Sequence, residues 1–272
     1  MLTPETTRVW IVGAAGFLGS ALRLECAAMD LTTLALDVAS PLVDVQGDAA
    51  DPATLQQALR HCTPTHIFCC TATHGGDAAA YRHAYVDVVR ALAAAAPEAR
   101  LIFCSSSSVY GRQDGGVVTE ESECLAEGER AEALKEAEQV VLRAHGSVAR
   151  LTTLFDETRC ELIRRFSAGE PKLPGPPERI LQYLHRQDAV RALLLLTELP
   201  SGIYNVAANP IAKHEVYELL ERSFSKKASR ETALPGKRGC CHQYVVSSED
   251  LQDVGWQPEK TITHCIRALA GK

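Results

Sequence analysis

The sequence predicts an α/β protein, a doubly wound parallel sheet followed by a smaller, mixed C-terminal lobe. Three observations predict it. Short apolar runs take turns with longer amphipathic runs from Arg8 to Thr152, the order that builds a parallel sheet with helices on both faces. The apolar runs are continuous rather than alternating, as in strands buried on both sides. A glycine-rich turn stands where the first strand meets the first helix.

Taken in order, Arg8-Val9-Trp10-Ile11-Val12 is a β-rich apolar run ended by Gly13, hence a buried strand. Phe17 to Met29 places Leu18, Ala21, Leu22 and Cys26 at helical spacing. Leu34-Ala35-Leu36 is a second strand, and Asp51-Pro52-Ala53 opens a helix with a capping residue and a proline in its first turn. His66 to Cys70 is a third strand. Ala78 to Ala96 is an alanine-rich helix between a capping Asp77 and a stopping Pro97. Leu101 to Cys104, a helix from Glu129 to His145 with Gly146 as C-cap, and Val148 to Thr152 complete the alternation. Beyond it the pattern loosens. Glu170 to Pro177 is a proline-rich loop, and helices are expected at Gln187–Leu196, Lys213–Ser223 and Thr261–Leu269. Ser247-Ser248-Glu249-Asp250 signals a capped short helix. These features divide the chain into residues 6–153, the alternating sheet domain, and 154–272, a smaller lobe interleaved with it.

Composition narrows the class. Of 272 residues, 46% are hydrophobic and 23% charged, an ordinary globular mix that excludes disorder. Lysine plus arginine is 28 against 34 acidic residues, which argues against nucleic acid as a partner. No apolar run reaches membrane-spanning length, and the N-terminal residues carry no basic stretch followed by an apolar core. The ten cysteines contain no Cys-x-x-Cys pair and are expected to be reduced thiols of a cytoplasmic protein. Cys240, Cys241 and His242 adjoin, but adjacent residues seldom ligate one zinc ion, and no metal site is expected.

The turn reads Gly13-Ala14-Ala15-Gly16-Phe17-Leu18-Gly19. Glycine lets the backbone adopt forbidden conformations and approach a ligand closely. The helix that follows aims its free N–H groups at a diphosphate. Asp37, at the end of the second strand, is placed to bind the ribose diol of an adenosine. Strand, glycine turn, helix and acid together predict NAD binding. A carboxylate repels a 2′-phosphate, and Val38-Ala39-Ser40 brings no arginine, so NAD is expected over NADP. Asp48 either accepts from the adenine amino group or caps its own loop. Gly13, Ala15, Gly16, Phe17, Leu18, Gly19, Asp37, Asp48 and the Cys70-Thr71-Ala72 turn are the expected cofactor residues.

On these residues the chain resembles the extended short-chain dehydrogenase/reductase superfamily, of the NAD-dependent epimerase/dehydratase type. The resemblance adds Gly47-Asp48, Cys104-Ser105-Ser106-Ser107-Ser108-Val109-Tyr110-Gly111 and Leu184-His185-Arg186-Gln187-Asp188-Ala189-Val190. Weaker echoes are Gly202 to Ala207 and Val254 to Pro258. It implies a Rossmann fold, a small-molecule substrate and a hydroxyl at Ser106 that hydrogen-bonds the reacting oxygen. His185 and Asp188 match a segment that packs the substrate lobe onto the core, with Asp188 favoured as a helix cap. Leu154 to Asp156 and the proline-rich loop match the substrate pocket. Dimerisation through helices is common among relatives, and a homodimer is expected on that ground alone.

One departure stands out. The family's Tyr-x-x-x-Lys dyad falls on Arg130 and Leu134, or one residue later on Ala131 and Lys135. Neither register supplies the tyrosine, and arginine is no acid or base near neutral pH. This resembles branches such as the bacterial YeeZ-like proteins, which keep the serine-rich segment and lack the tyrosine. Tyr110 is a candidate acid or a packing residue, and Lys135 a candidate ribose ligand or an exposed lysine. His74, Tyr81, His83 and Tyr85 are further candidates from one loop and helix. The arginine and lysine cluster expected for a nucleotide-sugar diphosphate is not seen, and Arg164 and Arg165 are candidates for it. The expected activity is an atypical NAD-dependent oxidoreductase or epimerase-like reaction on a hydroxyl or carbonyl compound. The alternative is a dinucleotide-binding module without turnover.

Overall fold

The computed structural model describes residues 2–73, 75–111, 114–168, 177–225 and 244–270. Strands β1 (Arg8–Val12), β2 (Thr32–Asp37), β3 (Val45–Gln46), β4 (His66–Cys69), β5 (Arg100–Ser106), β7 (Ser147–Leu151) and β11 (Gly202–Val206) form one parallel sheet. Their order is β11-β7-β5-β4-β1-β2-β3. The chain therefore builds outward from β1 in one direction, returns, and builds outward from β4 in the other. Val12 of β1 is in register with Leu36 on one side and Cys69 on the other. This is the doubly wound plan, and ligands of such sheets bind beyond the strand C-termini where the order reverses.

Side-chain alternation along the strands fills two cores. Trp10, Val12, Leu36 and Phe103 face helices α2 (Pro52–His61), α4 (Val88–Ala95) and α5 (Glu129–Arg143). Val9, Ile11, Phe68 and Ile102 face α1 (Phe17–Ala28) and α7 (Arg186–Leu195). Asp51 and Asp77 cap as expected, accepting from the N–H groups of Ala53 and Ala80 at 3.0 Å each. A third core of Phe155, Phe166, Val216 and Ile266 holds together α6 (Glu161–Ser167), α8 (Lys213–Phe224) and α10 (Ile262–Ala270). Three short pairs complete the fold: β8 (Thr153–Phe155) with β10 (Tyr183–His185) where the core runs into the lobe, β9 (Ile180–Leu181) with β12 (Ile211–Ala212) inside the lobe, and β6 (Val117–Val118) with β13 (Val245–Val246) from core to lobe. The weak echo at Gly202 to Ala207 is β11, through which the chain rejoins the sheet.

Several local readings need correction. The alanine-rich helix is α3 (Ala78–Arg82), then a π-helical turn at His83–Asp87, then α4. After α5 the left-handed residue is His145, at φ 54°, and not Gly146. Gly146 is required for close approach, since a Cβ there would lie 2.4 Å from the Leu101 carbonyl oxygen. Helix α7 is capped by His185, whose Nδ1 accepts from Gln187 N–H at 3.2 Å. Asp188 instead accepts from the N–H groups of Glu259 and Lys260, at 3.1 and 2.9 Å, and from Arg191. It ties the C-terminal segment to the core. At the start of α9 (Glu249–Asp253) it is Ser247 whose hydroxyl accepts from Glu249 N–H, at 3.3 Å, while Ser248 accepts from Ala207 N–H at 2.8 Å. His74, most of the proline-rich loop, and Cys240 to His242 lie outside the described residues.

Candidate active site

The glycine turn sits at the reversal point between β1 and β4. Gly13 has φ 78°, and a Cβ on it would meet the Cys70 carbonyl oxygen at 2.8 Å. A Cβ on Gly19 would lie 2.2 Å from the Gly13 carbonyl oxygen, so α1 presses directly onto the turn. The start of α1 has no side-chain cap and no acid in its first turn. Asp37 accepts from Ala15 N–H at 3.0 Å and from Ala39 N–H at 2.9 Å, which fixes its carboxylate beside the turn.

These groups border a cleft of about 810 Å³. Of the expected cofactor residues, Gly13, Gly16, Phe17, Leu18, Asp37, Asp48, Cys70, Thr71 and Ala72 line it. Ala15 and Gly19 stand behind, one holding Asp37 and the other seating the helix. The π-helical turn contributes His83, Ala84 and Tyr85. Its offset is anchored by the Thr71 hydroxyl, which donates to the Ala84 carbonyl at 2.8 Å. Asp48 accepts from Ala50 N–H and pairs with His83 at 2.6 Å. That hydrogen bond raises the His83 pKa above its ordinary value, against a smaller opposing effect of burial. Burial raises the Tyr85 hydroxyl.

A second cavity, of about 780 Å³, opens on the lobe side. It shares Ser106, Leu151 and Thr152 with the first. Ser106 therefore stands at the junction. It ends β5 and caps a 3-10 turn at Ser107–Tyr110, donating to the Ser108 hydroxyl at 2.9 Å and accepting from Ser108 N–H at 3.2 Å. The second cavity gathers Arg165, Arg179 and Lys213 with Tyr183 and Tyr217. Sequence spacing hid this cationic cluster, because the three cations come from α6, a loop and α8. Arg164 does not line it, and both Arg164 and Arg165 pair with Glu161. Burial pushes the Tyr183 hydroxyl up to about 12.

Tyr110 and Lys135 line neither cavity. Tyr110 is wholly buried, donates to Asn205 Oδ1 at 2.7 Å, and lies under the Arg150 guanidinium. Burial raises its pKa, against the nearby arginine. Lys135 donates to the Ala126 carbonyl at 3.1 Å and pairs with Glu132. Leu134 faces the cleft instead, and Arg130 reaches the Gly76 carbonyl across the face of Tyr81. Beneath Ser106, Ser105 donates to the buried Glu138 at 2.6 Å, and Arg150 binds the same carboxylate at 2.7 Å. Burial alone would lower the Arg150 pKa, but Glu138 outweighs it and raises it. Among the described residues no cluster of three His, Cys, Asp or Glu is placed to hold a metal ion, and no helix is long and apolar enough to cross a membrane.

The profile of the family described as the RmlD substrate binding domain matches residues 7–169, more than half of the chain. The chain belongs to that family. No curated protein matches it. Solved structures with the same fold include WbmG of Bordetella bronchiseptica in complex with NAD and UDP, 19% identical, with a TM-score of 0.82 over 99% of this chain and 96% of that one. The UDP-glucose 4-epimerase of Thermus thermophilus in complex with NAD is 19% identical, with a TM-score of 0.78 over 97% and 98%. The dTDP-glucose 4,6-dehydratase of Bacillus anthracis in complex with NAD is 16% identical, with a TM-score of 0.78 over 98% and 96%. At these identities the likeness is one of fold.

Proposed function

We propose that the chain is an atypical NAD-dependent enzyme of the epimerase/dehydratase kind, acting at a carbinol or carbonyl carbon of an anionic substrate. The observation that carries this reading is the junction at Ser106, where a dinucleotide-shaped cleft opens into a second cavity rich in cations. The cleft fits the cofactor on its own terms. Its floor is bare backbone where a Cβ would intrude, and the buried hydroxyl of Thr152 in its lining has no hydrogen-bond partner among the described residues. Buried polar groups without partners are unusual and point to a ligand that satisfies them. Gly13, Gly16, Phe17 and Leu18 would hold the diphosphate and Asp37 the adenosine ribose, with NAD favoured over NADP.

When bound, the nicotinamide supplies the acceptor and donor of hydride. Ser106 turns its hydroxyl hydrogen from Ser108 Oγ to the substrate oxygen, while its own oxygen goes on accepting from Ser108 N–H. Arg179 and Lys213 hold the anionic end of the substrate, as would suit the diphosphate of a nucleotide sugar. The residues shared by the two cavities offer only hydroxyls and a leucine, so the proton passes to water rather than to a tyrosine–lysine dyad. Leu134 in the cleft supports a site that works without this dyad, as in the YeeZ-like branches that the sequence resembles. It also favours a second reading, a module that binds the dinucleotide without turnover.

The two separate in one experiment. The protein is incubated with NAD and, in turn, UDP-glucose, UDP-glucuronic acid and dTDP-glucose, with reduced nicotinamide followed by absorbance. The enzyme reading expects reduction or epimerised product with at least one sugar, lost in Ser106→Ala while NAD uptake stays within about threefold of wild type. NAD uptake with no conversion of any substrate selects the binding module, and full turnover in Ser106→Ala removes Ser106 from the chemistry.

A further inference from the structure

Arg159 belongs to the turn between β8 and α6, on the lobe side, yet it lines the dinucleotide cleft. Its guanidinium lies 4.7 Å from the centre of the Phe17 ring, and that of Arg186 lies 4.8 Å from the same centre. Phe17 is the first residue of α1, immediately after Gly16, so both cations are brought to the uncapped helix start. They differ in their partners. Arg186 is neutralised by Asp156 at 2.9 Å. Among the described residues no carboxylate pairs with the Arg159 guanidinium, whereas Arg165 pairs with Glu161 and Arg191 with both Asp188 and Glu259.

The turn that carries Arg159 is built rigidly. Asp156, nearly fully buried, accepts from Thr158 N–H, the Thr158 hydroxyl and Arg159 N–H at 2.7 to 2.8 Å. A guanidinium presents a planar fork of donors that matches phosphate oxygens. An unneutralised guanidinium stacked on an aromatic ring beside three free helix N–H groups is suited to an anion that occupies both.

We propose that Arg159 is a cofactor-binding residue, reaching from the lobe to clasp the dinucleotide diphosphate against the glycine turn. This rests on the dinucleotide reading above. It makes the cofactor a bridge between sheet and lobe, with Phe17 as the platform on which the clasp lies. Arg186, already paired with Asp156, rests against the same ring.

The test compares wild type, Arg159→Ala and Arg159→Lys as full-length chains. NAD affinity is measured by calorimetry. Adenosine, which has no phosphate, is measured by displacement of bound fluorescent NADH. Arg159→Ala is expected to bind NAD about tenfold or more weakly, the loss of a charge-assisted hydrogen bond. Its adenosine affinity should stay within about twofold and its thermal midpoint should not move. Arg159→Lys should recover part of the NAD affinity, since charge is kept and the fork is lost. NAD affinity within about twofold of wild type in Arg159→Ala overturns the proposal, as does an equal loss for adenosine. If wild type takes up neither NAD nor adenosine, the dinucleotide reading itself fails and the clasp goes with it.

Discussion

Alanine at Gly19 tests how closely α1 must approach the glycine turn. A Cβ at this position would stand 2.2 Å from the Gly13 carbonyl oxygen and 2.9 Å from its carbon, where real Cβ atoms stay beyond 3.0 Å. Both neighbours are backbone, so no side chain can swing away. The helix must withdraw by roughly 1 Å, a displacement that elsewhere costs sites about a hundredfold in function. Overpacking of this kind destabilises by about 1–3 kcal/mol. Gly16 is the internal contrast. Its backbone is extended at φ −68° and its Cβ would meet the same oxygen at 3.1 Å, so a small shift accommodates alanine. Gly128 is the external contrast, with φ 96° and open space around it. Alanine there strains the backbone by about 1–3 kcal/mol but touches nothing in the cleft. Urea unfolding and calorimetric titration with NAD measure the two effects separately. The expected result is stability lost in Gly19→Ala and Gly128→Ala, with NAD affinity lost only in Gly19→Ala. Gly16→Ala should lose less stability than Gly19→Ala, since its Cβ is less crowded by the protein. NAD affinity unchanged in Gly19→Ala, or a larger loss of stability in Gly16→Ala than in Gly19→Ala, refutes the reasoning.

Three further outcomes follow from the same geometry. Glu138→Ala strands the Arg150 guanidinium, whose partner lies 2.7 Å away with side chains only 4% and 2% exposed, and should cost about 3–5 kcal/mol by urea unfolding; a loss under about 1 kcal/mol would contradict it. His83 should titrate above its ordinary 6.5, because its hydrogen bond to Asp48 outweighs burial. The stabilisation from this pair is then complete below 6.5 and fades as pH rises through the elevated folded value; a wild-type imidazole midpoint at or below 6.5 by NMR, or no fall in Asp48→Asn, would show the pair does not form. NAD should bind about tenfold or more tightly than NADP, and Asp37→Ala should narrow the gap, since a carboxylate repels the 2′-phosphate; calorimetry showing tighter NADP binding would reverse the assignment.

Much of the sheet was legible because its signal is local. Arg8–Val12 and His66–Cys69 are continuous apolar runs, and Asp51 and Asp77 announce their helices by position. The glycine turn was legible for the same reason, since each glycine answers to a neighbour within a few residues or at the next strand end. The π-helical turn at His83–Asp87 was not, because an alanine-rich stretch has the same period with or without one extra residue. The two-residue strands were hidden too, being set by tertiary pairing rather than by composition. Asp188 shows the limit of local rules: its position suggests a cap, while its carboxylate serves backbone about seventy residues onward. The cations of the second cavity were out of reach for a like reason. Arg165, Arg179 and Lys213 lie on separate elements, and only the packing of the lobe brings them to one cavity.

The most direct measurement is a crystal structure of the protein grown with NAD. The account predicts the diphosphate over Gly13–Leu18, the adenosine ribose on Asp37, and the nicotinamide at the junction beside Ser106. A cleft holding only solvent at saturating NAD, or a nucleotide lodged among Arg179 and Lys213 instead, would contradict it.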